Sequence, residues 1–194
     1  MAPMLEWTAG EGLLTRHDKT SFARNDSISV PAGKAAVLER GGDYSEVYRE
    51  GDQPVLGGGL LPKKGTLYMI DMKPSKAVSW GFGGVQCGIR TCGINGTLRL
   101  QVVSPRKFLT AYAAQELPLT ADSLAALWIQ RLGEAVRSEA MRLGRAGIGA
   151  AELPAQIAKA TADQLSEELE EKGLSLYDLN IEPLFFPDDE DEDE

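Results

Sequence analysis

The chain has 194 residues, 43% of them hydrophobic and 25% charged, enough to bury a sizeable core in one compact domain or in one domain with a long helical extension. No apolar stretch approaches the 18 residues of a membrane span, and Met1-Ala2-Pro3-Met4 does not open a charged-then-apolar leader, so the expected location is cytoplasmic. The formal net charge of −9 is concentrated at one end: Asp188 to Glu194 supply seven of the 29 acids, leaving 22 acidic against 20 basic residues in 1–187. Seven like charges with nothing to bury predict a disordered acidic tail over 188–194, solvating the chain or docking on a basic partner. The near-neutral body over 1–187 shows no positive stripe, which speaks against duplex nucleic acid as a partner.

In chain order, residues 27–50 read as strand, turn, strand, turn, strand. Pro31-Ala32-Gly33 and Gly41-Gly42-Asp43 supply the turn chemistry, Pro by presetting φ and Gly by tolerating positive φ. Leu60 to Gly65 reads as a loop, Thr66 to Met72 and Ala77 to Phe82 as strands, and Gly81-Phe82-Gly83-Gly84 as a bulge or tight turn. Val85 to Cys92 and Thr97 to Val103 are expected to form a hairpin across Gly93-Ile94-Asn95-Gly96, because Asn-Gly is a strong type I′ signal. From Ser104 the period changes from 2 to 3.6. Ser104 as N-cap and Pro105 as first helical residue start a helix to about Ala114. Leu124, Leu127, Trp128, Leu132, Ala135, Val136, Ala140 and Leu143 fall at spacings of three and four, predicting a helix over 122–143 that Gly144 ends. A third helix is expected from Pro154 to Lys172, stopped by Gly173, and then a β-rich run to Pro183. A mostly antiparallel sheet followed by helices and one final strand is an α+β fold.

The residues that carry chemistry are few. His17 is the single histidine, so neither a histidine-based triad nor a His-rich metal centre assembles around it alone. A small Cys-dependent hydrolase would have to pair it with Cys87 or Cys92. In one extended strand those two cysteines alternate onto opposite faces, whereas a turn at Gly88 would bring them together. A zinc site would need two further donors, and only His17 remains. Gly81 to Gln86 lacks the third glycine of a dinucleotide fingerprint, no Gly-Lys-Ser/Thr exists for a P-loop, and Gly144 to Gly149 reads as a connector between helices. Trp7, Trp80 and Trp128 fit core or interface positions. No catalytic, cofactor-binding or metal residue is therefore assigned, and no cofactor is expected. Leu5, Trp7, Leu13 and Leu14 form the apolar N-terminal cluster nearest to a membrane-touching patch, although Glu6 and Glu11 interrupt it.

The order of these pieces resembles a known family. Leu5-Glu6-Trp7 lies near the start, and Ile28 to Val37 follows the pattern Ile-x-Val-x-x-Gly-x-x-Ala-Val. After it come Gly51-Asp52-Gln53-Pro54, the tyrosine-bearing Leu67 to Asp71, Trp80-Gly81, and Val102-Val103-Ser104-Pro105-Arg106-Lys107-Phe108-Leu109. Over about residues 5–186 this is similar to the stomatin/prohibitin/flotillin (SPFH, or band-7) domain, in its soluble bacterial, virion-core-protein-like branch. The resemblance implies a non-enzymatic scaffold or protein-interaction module over 1–187. It further implies a homo-oligomer with an unknown protein partner and a place in a membrane-proximal or stress-related assembly, any membrane contact being peripheral or through that partner. The membrane anchor, coiled coil and zinc ribbon carried by members of the family have no counterpart in these residues.

Overall fold

The computed structural model describes residues 4–5 and 12–187, so Trp7 and the acidic run 188–194 lie outside the described residues. The fold is α+β, with antiparallel strand pairing in each sheet, three helices and a closing strand. The chain divides into two compact units that alternate along the sequence, 1–75 with 101–121 and 170–174, and 76–100 with 122–169 and 175–194.

The first unit is built on a four-stranded sheet of order β1-β6-β3-β4, from β1 (Leu14–Arg16), β3 (Lys34–Arg40), β4 (Asp43–Tyr48) and β6 (Thr66–Asp71). Residues that pair across an antiparallel ladder share a face. Ala36 opposite Met69 and Leu38 opposite Leu67 therefore bury on one side, in a cluster with Phe22, Ile28, Val30 and Leu56. Ala35 opposite Ile70 and Val37 opposite Tyr68 bury on the other side. With both faces covered, β3 reads as an apolar run instead of an alternation. Gly41 and Gly42, at φ +62° and +87°, close the β3–β4 hairpin where a Gly-Gly turn was expected. The run Ser27 to Val30, expected as a strand, forms no named strand among the described residues; Ser27 bridges to Met4 and Val55, while Ile28 donates to the Pro54 carbonyl and Val30 donates to the Asp52 carbonyl and accepts from the Gly51 N–H. A second, two-stranded ladder pairs β2 (Ser21–Phe22) with β5 (Lys63–Lys64). Helix α1 (Pro105–Tyr112) packs on β3 and β4 and buries Phe108, Leu109 and Tyr112. Ser104 occupies the N-cap in an extended conformation, but its hydroxyl makes no capping bond and only its carbonyl accepts, from the Phe108 N–H.

The second unit joins a three-stranded sheet of order β7-β8-β9 to two helices. Strand β7 is Val78–Cys87, β8 is Arg90–Val102 and β9 is Leu174–Ile181. The expected hairpin of Val85 to Cys92 with Thr97 to Val103 does not form, because Arg90–Val102 is one continuous strand and the chain turns instead within the expected first strand. Cys87 pairs with Arg90 across Gly88-Ile89, and Gly88 takes φ +65°, the position a type II′ turn reserves for glycine. Asn95-Gly96 lies inside β8, where a Cβ on residue 96 would stand 2.0 Å from the Asn180 carbonyl oxygen. That glycine serves the close approach of β9 rather than a turn. The expected bulge is present: the β7–β8 register shifts between Phe82 and Val85, with Gly84 at φ +63°.

Helix α2 (Ala121–Arg145) buries Leu124, Trp128, Leu132, Ala135, Val136, Ala140 and Leu143, whereas Leu127 from the predicted stripe is 47% exposed. Gly144 does not stop it. A Cβ there would meet the Gly88 nitrogen at 2.4 Å, so the residue is small to admit the β7–β8 turn, and the left-handed position comes later at Gly147, φ +72°. Helix α3 (Leu153–Glu171) is tied to α2 by Glu168, which accepts from Arg131 Nε at 3.0 Å and Nη2 at 2.8 Å. Gly173, at φ +75°, ends it with its N–H on the Glu170 carbonyl.

Candidate interaction surfaces

The three residues that carried the hydrolase alternative fall in different units. His17 follows β1 in the first unit, its N–H donating to the Leu67 carbonyl and its Nδ1 accepting from the Lys19 N–H at 2.9 Å. Cys87 and Cys92 belong to the second unit. The turn at Gly88 folds β7 back onto β8, so both thiols share the buried face, 6% and 1% exposed, and hydrogen-bond to each other. The opposite-face placement in one strand is thereby corrected, and the alternative with a turn at Gly88 is what the chain adopts. Burial pushes the Cys92 thiol up to about 11, with the neighbouring Cys87 adding to the effect. Burial also raises Cys87, partly offset by the bond from Cys92 and the Arg90 charge. Protonated, enclosed thiols are poor nucleophiles. Among the described residues no group of three or more His, Cys, Asp and Glu side chains is placed to hold a metal ion.

Of the N-terminal apolar cluster, the three described leucines are turned inward, Trp7 lying outside the described residues. Leu13 and Leu14 are 8% and 0% exposed, and Leu5 packs against the first unit's core, so these leucines do not form a surface patch. Trp80 is buried against Phe82, ring centroids 5.3 Å apart, and its indole N–H has no hydrogen-bond partner among the described residues. The Phe82 ring in turn carries the Arg137 guanidinium, 4.9 Å from its centroid, over Gly133, where a Cβ would stand 3.0 Å from the ring. These aromatics hold α2 to the sheet.

One polar group in the first unit is also internal. Asp26, 2% exposed, accepts from Lys19 Nζ at 2.7 Å and from the Ala23 N–H at 2.6 Å. Burial alone would raise its pKa, but the bonds from Lys19 and Ala23 and the Lys19 charge outweigh it and hold the carboxyl below its usual value. The group fixes a turn and closes no cleft.

What the surface offers instead is edges and exposed apolar side chains. Strand β7 is an outer strand of its sheet, ten residues long, and no residue from Val78 to Cys87 is charged. On the other edge, β9 and α3 bound an open groove of about 560 Å³ lined by Pro154, Ala155, Ala158, Ala162, Leu176 and Asn180. Among the described residues the most fully exposed large apolar side chains are Ile89 at the tip of the β7–β8 hairpin in the second unit, 99% exposed, and, in the first unit, Leu60 and Leu61, neighbours in sequence, 95% and 79% exposed. The loop expected over Leu60 to Gly65 is present at the leucine pair, but Lys63–Lys64 form β5, and the residue pattern gave no sign that the pair would be outside. No helix among the described residues is long and apolar enough to cross a membrane. Neither the protein-family models nor the curated proteins compared with the chain give a match.

Proposed function

We propose that the chain is a non-enzymatic, self-associating interaction module of the SPFH type. It works in the cytoplasm, as a scaffold within a membrane-proximal or stress-related protein assembly. The observation that carries the reading is strand β7. An edge strand presents a row of N–H and C=O groups that template pairing with another chain, and folded proteins blunt such edges with charge, proline, bulges or a cover. Strand β7 has neither charge nor proline over its length, and its bulge between Phe82 and Val85 interrupts only the middle. By contrast, the outer strand β4 of the first unit carries Asp43 and Glu46, and β1 is three residues long. The buried, protonated thiols support the non-enzymatic side of the reading.

Light scattering after size exclusion tests it. The expected mass at micromolar concentration is a multiple of 20.9 kDa. The double variant Ser79→Lys, Gln86→Lys places charges at two exposed positions of β7 and should return the chain to monomer with its thermal midpoint unchanged. A wild-type mass of one chain across that range rejects self-association, and a variant that assembles as before moves the contact away from β7.

A further inference from the structure

The loop 57–62 leaves the first unit as a held projection with an apolar tip. Its roots are fixed. Arg40 donates from Nη2 to the Leu56 carbonyl at 2.5 Å and from Nη1 to the Lys64 carbonyl at 3.4 Å, joining the two ends of the loop, and Glu46 fixes the same guanidinium at 2.9 Å. Gly57 packs so closely on the Ala23 carbonyl that a Cβ would stand 1.7 Å from its oxygen. Beyond these roots, Leu60 and Leu61 stand almost fully in solvent. Leaving two adjacent leucines exposed on a braced loop costs solubility without contributing to the fold, and such a patch marks an interaction site.

The surroundings of the tip are cationic. Lys63 and Lys64, both exposed, follow it directly on β5, and Lys63 Nζ lies 3.5 Å from where a Gly58 Cβ would be. Exposed Arg24 adjoins Ala23, against which the loop root packs. Asp26, the acid two residues further on, is buried and already paired with Lys19. Two leucines projecting from a convex loop are far short of the roughly 800 Å² per partner that a stable protein interface buries. They suit a medium that closes around a small wedge.

We propose that this loop is a peripheral membrane contact, in which Leu60 and Leu61 enter the interfacial layer of a bilayer while Lys63, Lys64 and Arg24 meet anionic headgroups. The proposal deepens the membrane-proximal part of the function proposed above and rests on it. Stable peripheral binding takes two signals, an apolar insertion and a cationic patch, and this loop supplies both within eight residues of sequence plus one neighbour. The whole chain, at −9, is repelled from an anionic surface at long range, so the attraction must act within a Debye length, about 8–10 Å, of the lysines.

Flotation of the full chain with vesicles of phosphatidylcholine alone and of phosphatidylcholine with phosphatidylglycerol decides the matter. Binding is expected to the anionic vesicles and to weaken with salt. Leu60→Ser with Leu61→Ser should lower the partition coefficient by about tenfold or more, the loss that follows from removing two inserted side chains. Lys63→Gln with Lys64→Gln should lower it several-fold and flatten its salt dependence. All four positions are exposed, so the variants keep the wild-type circular dichroism and melting curve. Absence of binding to either vesicle overturns the proposal, and so does binding that the serine pair leaves intact. If the leucines prove instead to be needed for a stable complex between protein chains, with no vesicle binding, the loop is a protein contact and the membrane assignment fails. Light scattering on the same preparations reads self-association separately, so failure of the loop and failure of the module are distinguishable.

Discussion

Cys87 and Cys92 show how one turn changes the chemistry open to a residue. On a single strand they would be two independent thiols; across the Gly88-Ile89 turn they become one buried, mutually hydrogen-bonded pair. Their folded pKa values lie above the ordinary 9.0, so the folded state favours the protonated form. That contribution to stability is complete below the unfolded value and is lost as pH rises toward about 11, the folded value at Cys92. Two outcomes are expected. Ellman's reagent at neutral pH should label neither thiol at an appreciable rate until denaturant opens the fold, and the denaturant midpoint should fall as pH is raised above 9, less so in a Cys92→Ser chain. Fast labelling of one thiol in the native protein would restore the nucleophile reading.

Elements were legible where local chemistry and tertiary demand agree. The 3.6 period of Leu124, Trp128, Leu132, Ala135 and Val136 gave α2, the Gly-Gly turn gave the β3–β4 hairpin, and Gly173 ended α3 as expected. Legibility failed where a glycine has a tertiary role that mimics a local one. Gly96 carries an Asn-Gly turn signal and Gly144 a helix stop, yet both are small because another backbone passes within contact distance, Asn180 in one case and Gly88 in the other. No local pattern distinguishes a glycine kept for φ from one kept for space. Nor does sequence reveal which leucines face out: Leu13 and Leu14 are core and Leu60 and Leu61 are surface, though both pairs sit in short apolar runs beside glycine. A direct check on Gly96 compares it with its neighbour Gly93. A Cβ at residue 93 comes no nearer than 3.8 Å to any atom, in the Phe185 side chain, whereas at 96 it collides with β9. Gly93→Ala should leave stability within about 0.5 kcal/mol of wild type, and Gly96→Ala should cost several times more, on the order of 2–3 kcal/mol, by displacing β9 from β8. Equal midpoints in urea for the two variants would show that β9 yields without cost.

At the scale of the whole molecule the charge distribution sets how readily copies meet. Residues 1–187 carry 20 basic and 22 acidic side chains, so the seven acids of 188–194 change a body close to neutrality into a chain at −9. Like charge keeps copies apart and soluble, and the repulsion is long-ranged only at low salt. If β7 is the contact, the acidic run and the edge strand oppose one another: the edge favours pairing, and the charge sets the concentration at which pairing begins. Removing residues 188–194 should therefore shift assembly to lower protein concentration in dilute buffer, and the shift should vanish near 1 M salt, where the Debye length is about 3 Å. Seven mutually repelling carboxylates contribute no apolar burial, so the thermal midpoint of the truncated chain should stay within a few degrees of the full one at physiological salt. Light scattering against concentration at two salt levels, beside the two melts, separates the cases. An unchanged assembly curve would show that charge does not govern the encounter, and a large fall in the midpoint would show that the acids dock on the folded body.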